Sequence, residues 1–109
     1  MNLINKKWIV KGKAKVKYYN NKLEVKNTSN KYSLAFLPTF FKKTSQKNLI
    51  VKFDGICKKG NATFLEFINR KKQVISKFNL GISSVISDDY FKYYMVVLYV
   101  PPKSETIIN

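Results

Sequence analysis

A chain of 109 residues has room for one modest core, and with 45% hydrophobic side chains it is too apolar for a disordered tail. Its 21 lysines and arginines stand against 6 acids, a net charge of +15 that draws the chain toward polyanions through its summed field. It has no histidine and one cysteine. That composition excludes Ser–His and Cys–His nucleophile pairs, an internal disulfide and a Cys/His zinc site.

Apolar residues alternate with period two along the chain, and helical periodicity is weak. A short strand at residues 8–10 precedes Gly12, which reads as a bend or bulge. Residues 13–19 follow, with Ala14, Val16 and Tyr18 on one face and Lys13, Lys15 and Lys17 on the other. Asn20-Asn21 suits a tight turn because Asn tolerates positive φ. Residues 22–26 return with Leu23 and Val25 inward and Lys22, Glu24 and Lys26 outward, which completes the best hairpin signal in the chain.

Residues 32–37 form a fourth predicted strand, stopped by Pro38, and residues 39–48 read as a loop. Residues 49–54 are a strand, Lys58-Lys59-Gly60-Asn61 a turn, and residues 62–69 a strand apolar on both faces. Arg70-Lys71-Lys72 turns the chain into a strand at residues 73–80. Residues 81–89 read as a loop or a single helical turn. The strongest strand covers residues 93–100, ended by Pro101-Pro102, and residues 106–108 form a last edge strand. No repeat, linker or composition break divides the chain, so one domain spans residues 1–109. The expected fold is all-β: an antiparallel, jelly-roll-like β-sandwich of about eight or nine strands.

The order of these features carries a resemblance. Trp8 lies before Gly12, then come the hairpin, Tyr32-Ser33-Leu34-Ala35-Phe36, Leu49 to Asp54, and the closing run from Phe91 to Pro101. The pattern resembles jelly-roll sandwiches of the galactose-binding-like, carbohydrate-binding-module type. Such domains often accompany bacterial enzymes that build or cut surface polysaccharides, glycosyltransferases among them. The resemblance covers nearly the whole chain, but it is a pattern of strands and matches no ligand motif. It implies a non-catalytic carbohydrate-binding or accessory module beside a catalytic domain, at the cell envelope or the cytoplasmic face of a membrane.

Candidate site residues follow from chemistry. Aromatic rings stack on the apolar C–H face of a sugar while polar groups read its hydroxyls. Trp8, Tyr19, Tyr32 and Tyr90 sit near predicted strand ends, and Asp88 and Asp89 beside Tyr90 would accept hydroxyl hydrogen bonds. Lys13, Lys15, Lys17, Lys22 and Lys26 form one basic face, read either as a polyanion surface or as a solvated face that protects edges. Arg70 is the only arginine, so nearly all the charge lacks the planar fork of bidentate recognition.

Asp54 and Glu66 are the only carboxylates expected on neighbouring strands, as a two-carboxylate glycosidase requires, and pairing with lysine explains each more simply. Asp88-Asp89 with loop carbonyls is a weak calcium signal, and a solvated loop or helix cap accounts for it. No cofactor or metal is expected. Cys57 reads as a buried, inert thiol. Residues 8–10 are too short for a signal-peptide core, and the longest apolar run, residues 93–100, is too short to span a membrane as a helix. Two rival readings stay open. One is a nucleic-acid-binding β-barrel, which the basic charge and aromatics would suit. The other is a structural module that oligomerises through its doubly apolar strands.

Overall fold

The computed structural model describes residues 2–43, 48–86 and 92–109. Among the described residues the chain forms twelve strands and no helix. They are β1 (Ile9–Lys11), β2 (Lys15–Tyr19), β3 (Lys22–Asn27), β4 (Ser33–Phe36), β5 (Phe41–Lys42), β6 (Leu49–Phe53), β7 (Gly55–Lys59), β8 (Phe64–Ile68), β9 (Val74–Phe78), β10 (Ile82–Ile86), β11 (Tyr93–Val100) and β12 (Ser104–Ile108). The pairings are antiparallel, and the expected all-β sandwich is the fold observed.

One sheet runs β1-β4-β11-β8-β9, with β5 beside the start of β11. The other runs β2-β3-β12-β7. A two-stranded ribbon, β6 with β10, leaves the second sheet where β6 passes through Asp54 into β7. β11 shows why the sheets pack as they do. Its Tyr94, Val96, Leu98 and Val100 alternate toward the core, where they meet Leu23, Val25 and Ile108 of the second sheet and Val51 and Phe53 of the ribbon. Phe67 holds this core laterally, edge-on to Phe78 at 5.1 Å and stacked on Tyr94 at 4.7 Å.

Two polar devices tie the layers. The buried Asn27 amide donates to Lys31 O at 2.7 Å and Val100 O at 3.2 Å, while its Oδ1 accepts from Ser29 N and Ser29 Oγ. One side chain of β3 thus satisfies the backbone at the end of β11 in the opposite sheet. The Ser33 hydroxyl accepts from Lys13 N and Ala14 N, both at 3.0 Å, and so fixes the bend between β1 and β2. Gly12 makes that bend at φ +114°, where a Cβ would lie 2.5 Å from Ser33 Oγ. Asn20 and Asn21, at φ 50° and 60°, form the expected tight turn of the β2–β3 hairpin.

Four expectations need correction. Thr106 to Ile108 was expected at an edge, but β12 lies inside its sheet between β3 and β7. Ser104 and Thr106 disguise it: both are fully buried, yet both hydroxyls find partners, Ser104 Oγ donating to Pro101 O and Thr106 Oγ1 accepting from Thr63 N. Lys58-Lys59 belongs to the edge strand β7, where lysine is a normal guard against further pairing. Residues 82–86 form β10, whose serines hide the alternation because only Ile86 is buried. Phe41–Lys42 is a two-residue strand inside the expected loop. These additions bring the count to twelve.

Candidate binding surface

The register builds the surface from the hairpin outward. In the second sheet Lys15 faces Lys26, Lys26 faces Glu105, and Glu105 faces Lys59. The next outward row is Lys17, Glu24, Ile107 and Ile56, and beyond it Tyr19 faces Lys22. Five lysines, two glutamates and one tyrosine therefore share the outer face of one sheet. Neighbouring positions are about 5 Å apart across the strands and about 7 Å along them. The lysines are exposed and the glutamates half-buried between them. Tyr19 is 56% exposed at the hairpin tip, with Lys17 Nζ 5.3 Å from its ring centre. Neighbouring Tyr18 is held by a 3.0 Å bond from its hydroxyl to Asn21 Oδ1.

The sequence-predicted residues divide accordingly. Lys15, Lys17, Lys22 and Lys26 come together with Tyr19, and exposed Lys13 stands just before β2. Tyr32 is 57% exposed but belongs to the other end of the sandwich, since its neighbour Ser33 pairs with Val100 at the end of β11. Trp8 is half-buried against the core, and its indole N–H donates to Leu3 O at 3.2 Å. Asp88, Asp89 and Tyr90 lie outside the described residues. Asp54 and Glu66 are not on neighbouring strands: Asp54 sits at the β6–β7 corner and accepts from Gly55 N, whereas β8, which carries Glu66, pairs among the described residues with β11 and β9. Among the described residues no group of three potential metal ligands occurs. Cys57 is half-buried rather than buried, with Sγ 3.3 Å from Gly60 O.

Sequence reasoning missed Lys59 and Glu105 as parts of this face. By sequence pattern Lys59 falls in a turn and Glu105 just before the last predicted strand. The lysine–glutamate alternation of β7 and β12 across the sheet appears only once β12 is known to lie between β3 and β7.

The outer face of the first sheet is different. Phe64 and Tyr99 stack at 5.0 Å with their planes 6° apart, and Lys77 Nζ covers the Phe64 ring at 4.2 Å. The Arg70 guanidinium lies 4.1 Å from the Tyr93 ring centre. Glu66, only 9% exposed, faces Lys77 across the β8–β9 pair. The Tyr99 hydroxyl is pushed above its ordinary range near 10 by burial first, then by the Glu66 charge and the hydrogen bond to it.

Comparison with protein-family models, with curated proteins and with solved structures finds no match to this chain.

Proposed function

We propose that the chain is a non-catalytic carbohydrate-binding or accessory module of a polysaccharide-active enzyme, and that it holds an anionic glycan on the outer face of the β2-β3-β12-β7 sheet. One observation carries the reading: the register aligns Lys15, Lys17, Lys22, Lys26 and Lys59 with Tyr19 on a single sheet face. The lysines attract the polymer's carboxylates or sulfates, and the exposed Tyr19 ring offers a stacking surface for one sugar. Glu24 and Glu105, set among the lysines, favour a glycan over a nucleic acid. A carboxylate repels a glycan carboxylate and a phosphodiester alike, but it accepts hydrogen bonds from sugar hydroxyls, which a DNA backbone lacks. Ammonium groups without guanidinium forks suit a repeating charge better than a single bidentate site.

The test is binding to polygalacturonate, neutral dextran and single-stranded DNA at 0.1 M and 0.5 M NaCl. Polygalacturonate is expected to bind, to keep part of its affinity at 0.5 M, and to bind several-fold more weakly to Tyr19→Ala. Tighter binding of single-stranded DNA at both salts would replace this reading with a nucleic-acid surface. Equal, wholly salt-suppressed binding of both polyanions would reduce the face to a non-specific charge.

A further inference from the structure

We infer that the space between the sheets at the Trp8 end is a binding site for a medium-chain fatty acid, its hydrocarbon tail inside and its carboxylate at the mouth. A cavity of about 190 Å³ lies there. Its walls are apolar: Leu3 and Ile4 from the N-terminal segment, Val51 and Phe53 from β6, Phe67 from β8 and Leu98 from β11. Polar residues border it too, because Asn2 and Asn109 also line it and are exposed.

Close-packed interiors leave few voids larger than a water molecule. A cavity of 150 Å³ lined by aliphatic and aromatic side chains stays dry and takes up benzene, so by proportion this one holds roughly seven or eight carbons. Unlike an engineered cavity, it reaches solvent. Asn2 and Asn109, exposed and lining the cavity, bring amide N–H groups that can donate to a carboxylate. The chain's net charge of +15 attracts an anion to that mouth. This site faces inward and does not depend on the lysine face, so either reading stands without the other.

Trp8 lines the cavity and is the only tryptophan, which makes its fluorescence a direct reporter of occupancy. The experiment titrates the whole chain with butanoate, hexanoate, octanoate, decanoate and dodecanoate below their micellar concentrations. Affinity is expected to rise about fourfold per methylene, the equivalent of ~0.8 kcal/mol each, up to octanoate, and then to level off or fall as the tail outgrows the space. 1-Octanol, which lacks the carboxylate, is expected to bind several-fold more weakly than octanoate. Val51→Phe, which fills the cavity, is expected to abolish binding of both. The wild-type chain-length profile decides the matter even if that variant fails to fold. Affinity that keeps growing through dodecanoate, or no change in Trp8 emission with millimolar octanoate, would overturn the site.

Discussion

The two outer faces of this sandwich use the same residue types in opposite ways. On the β1-β4-β11-β8-β9 sheet the cations are spent on rings: Lys77 covers Phe64, Arg70 covers Tyr93, and Tyr99 is bonded to Glu66. On the β2-β3-β12-β7 sheet Lys17 likewise lies 5.3 Å from the Tyr19 ring centre, while Lys15, Lys22, Lys26 and Lys59 project from exposed positions. A cation held over a ring has already exchanged part of its hydration for a fixed contact, and it has less to offer a ligand. A lysine side chain standing in water keeps its charge and its reach. Composition shows a uniformly basic chain, yet strand order separates a face whose cations lie over rings from a face whose lysines mostly stand in water.

Asn27→Ala should have the largest effect on this contrast, because it loosens both sheets at once. It leaves Val100 O, Lys31 O and Ser29 N short of a partner. Losing that network is expected to cost about 3 kcal/mol in urea unfolding. A loss below 1 kcal/mol would mean that water replaces Asn27 readily.

Tyr99→Ala acts on the first sheet alone, removing the Phe64 stack and the bond to Glu66. It is expected to lower stability by about 2 kcal/mol while leaving glycan affinity unchanged. A loss of affinity with intact stability would move the binding site to this face.

A smaller effect comes from pH. Because the folded-state pKa of Tyr99 is raised, the unfolded chain gives up that proton first as the solution becomes alkaline. The stabilisation is complete below pH 10, declines as pH rises through the folded-state pKa, and is constant above it. Burial raises Tyr94 in the same direction. Unfolding of wild type and Tyr99→Phe between pH 9 and 12 should show a shallower alkaline decline in the variant. Identical slopes would show that Tyr99 is not the group responsible.

Thr63→Val tests the packing between the two faces. The Thr63 hydroxyl is fully buried and has no hydrogen-bond partner among the described residues, although Thr63 N donates to Thr106 Oγ1. Removing a hydroxyl that makes no bond is expected to raise stability by about 0.5–1 kcal/mol. A decrease would reveal a partner for it.

The sequence exposes most of the architecture wherever alternation is undisguised. β2, β3, β6, β8 and β11 carry apolar residues at every second position, and Asn20-Asn21 announces its turn. It hides β12 because Ser104 and Thr106 occupy core positions that hydrophobicity alone assigns to the surface. It hides β10 because Ser83 and Ser84 and the exposed Ile82 and Val85 reverse the usual contrast between faces. The lysines and Tyr19 of the candidate surface were legible because they follow the β2–β3 hairpin, a local feature. Their alignment with Lys59 and Glu105 was not, because it depends on which strand lies beside which. The cation-covered rings were equally invisible, since Lys77 and Phe64 lie thirteen positions apart and meet only through the β8–β9 pair.

The most direct test sets one face against the other in a single titration of polygalacturonate at 0.1 M NaCl. The two chains are Lys15→Gln/Lys26→Gln, from the second sheet, and Arg70→Gln/Lys77→Gln, from the first, which lose equal charge. If the binding surface lies on the second sheet, the Lys15/Lys26 pair loses about tenfold in affinity, roughly 1.4 kcal/mol, and the Arg70/Lys77 pair less than twofold. Equal losses in the two chains would mean that net charge alone governs binding, and would contradict the assignment of the binding surface to the β2-β3-β12-β7 face.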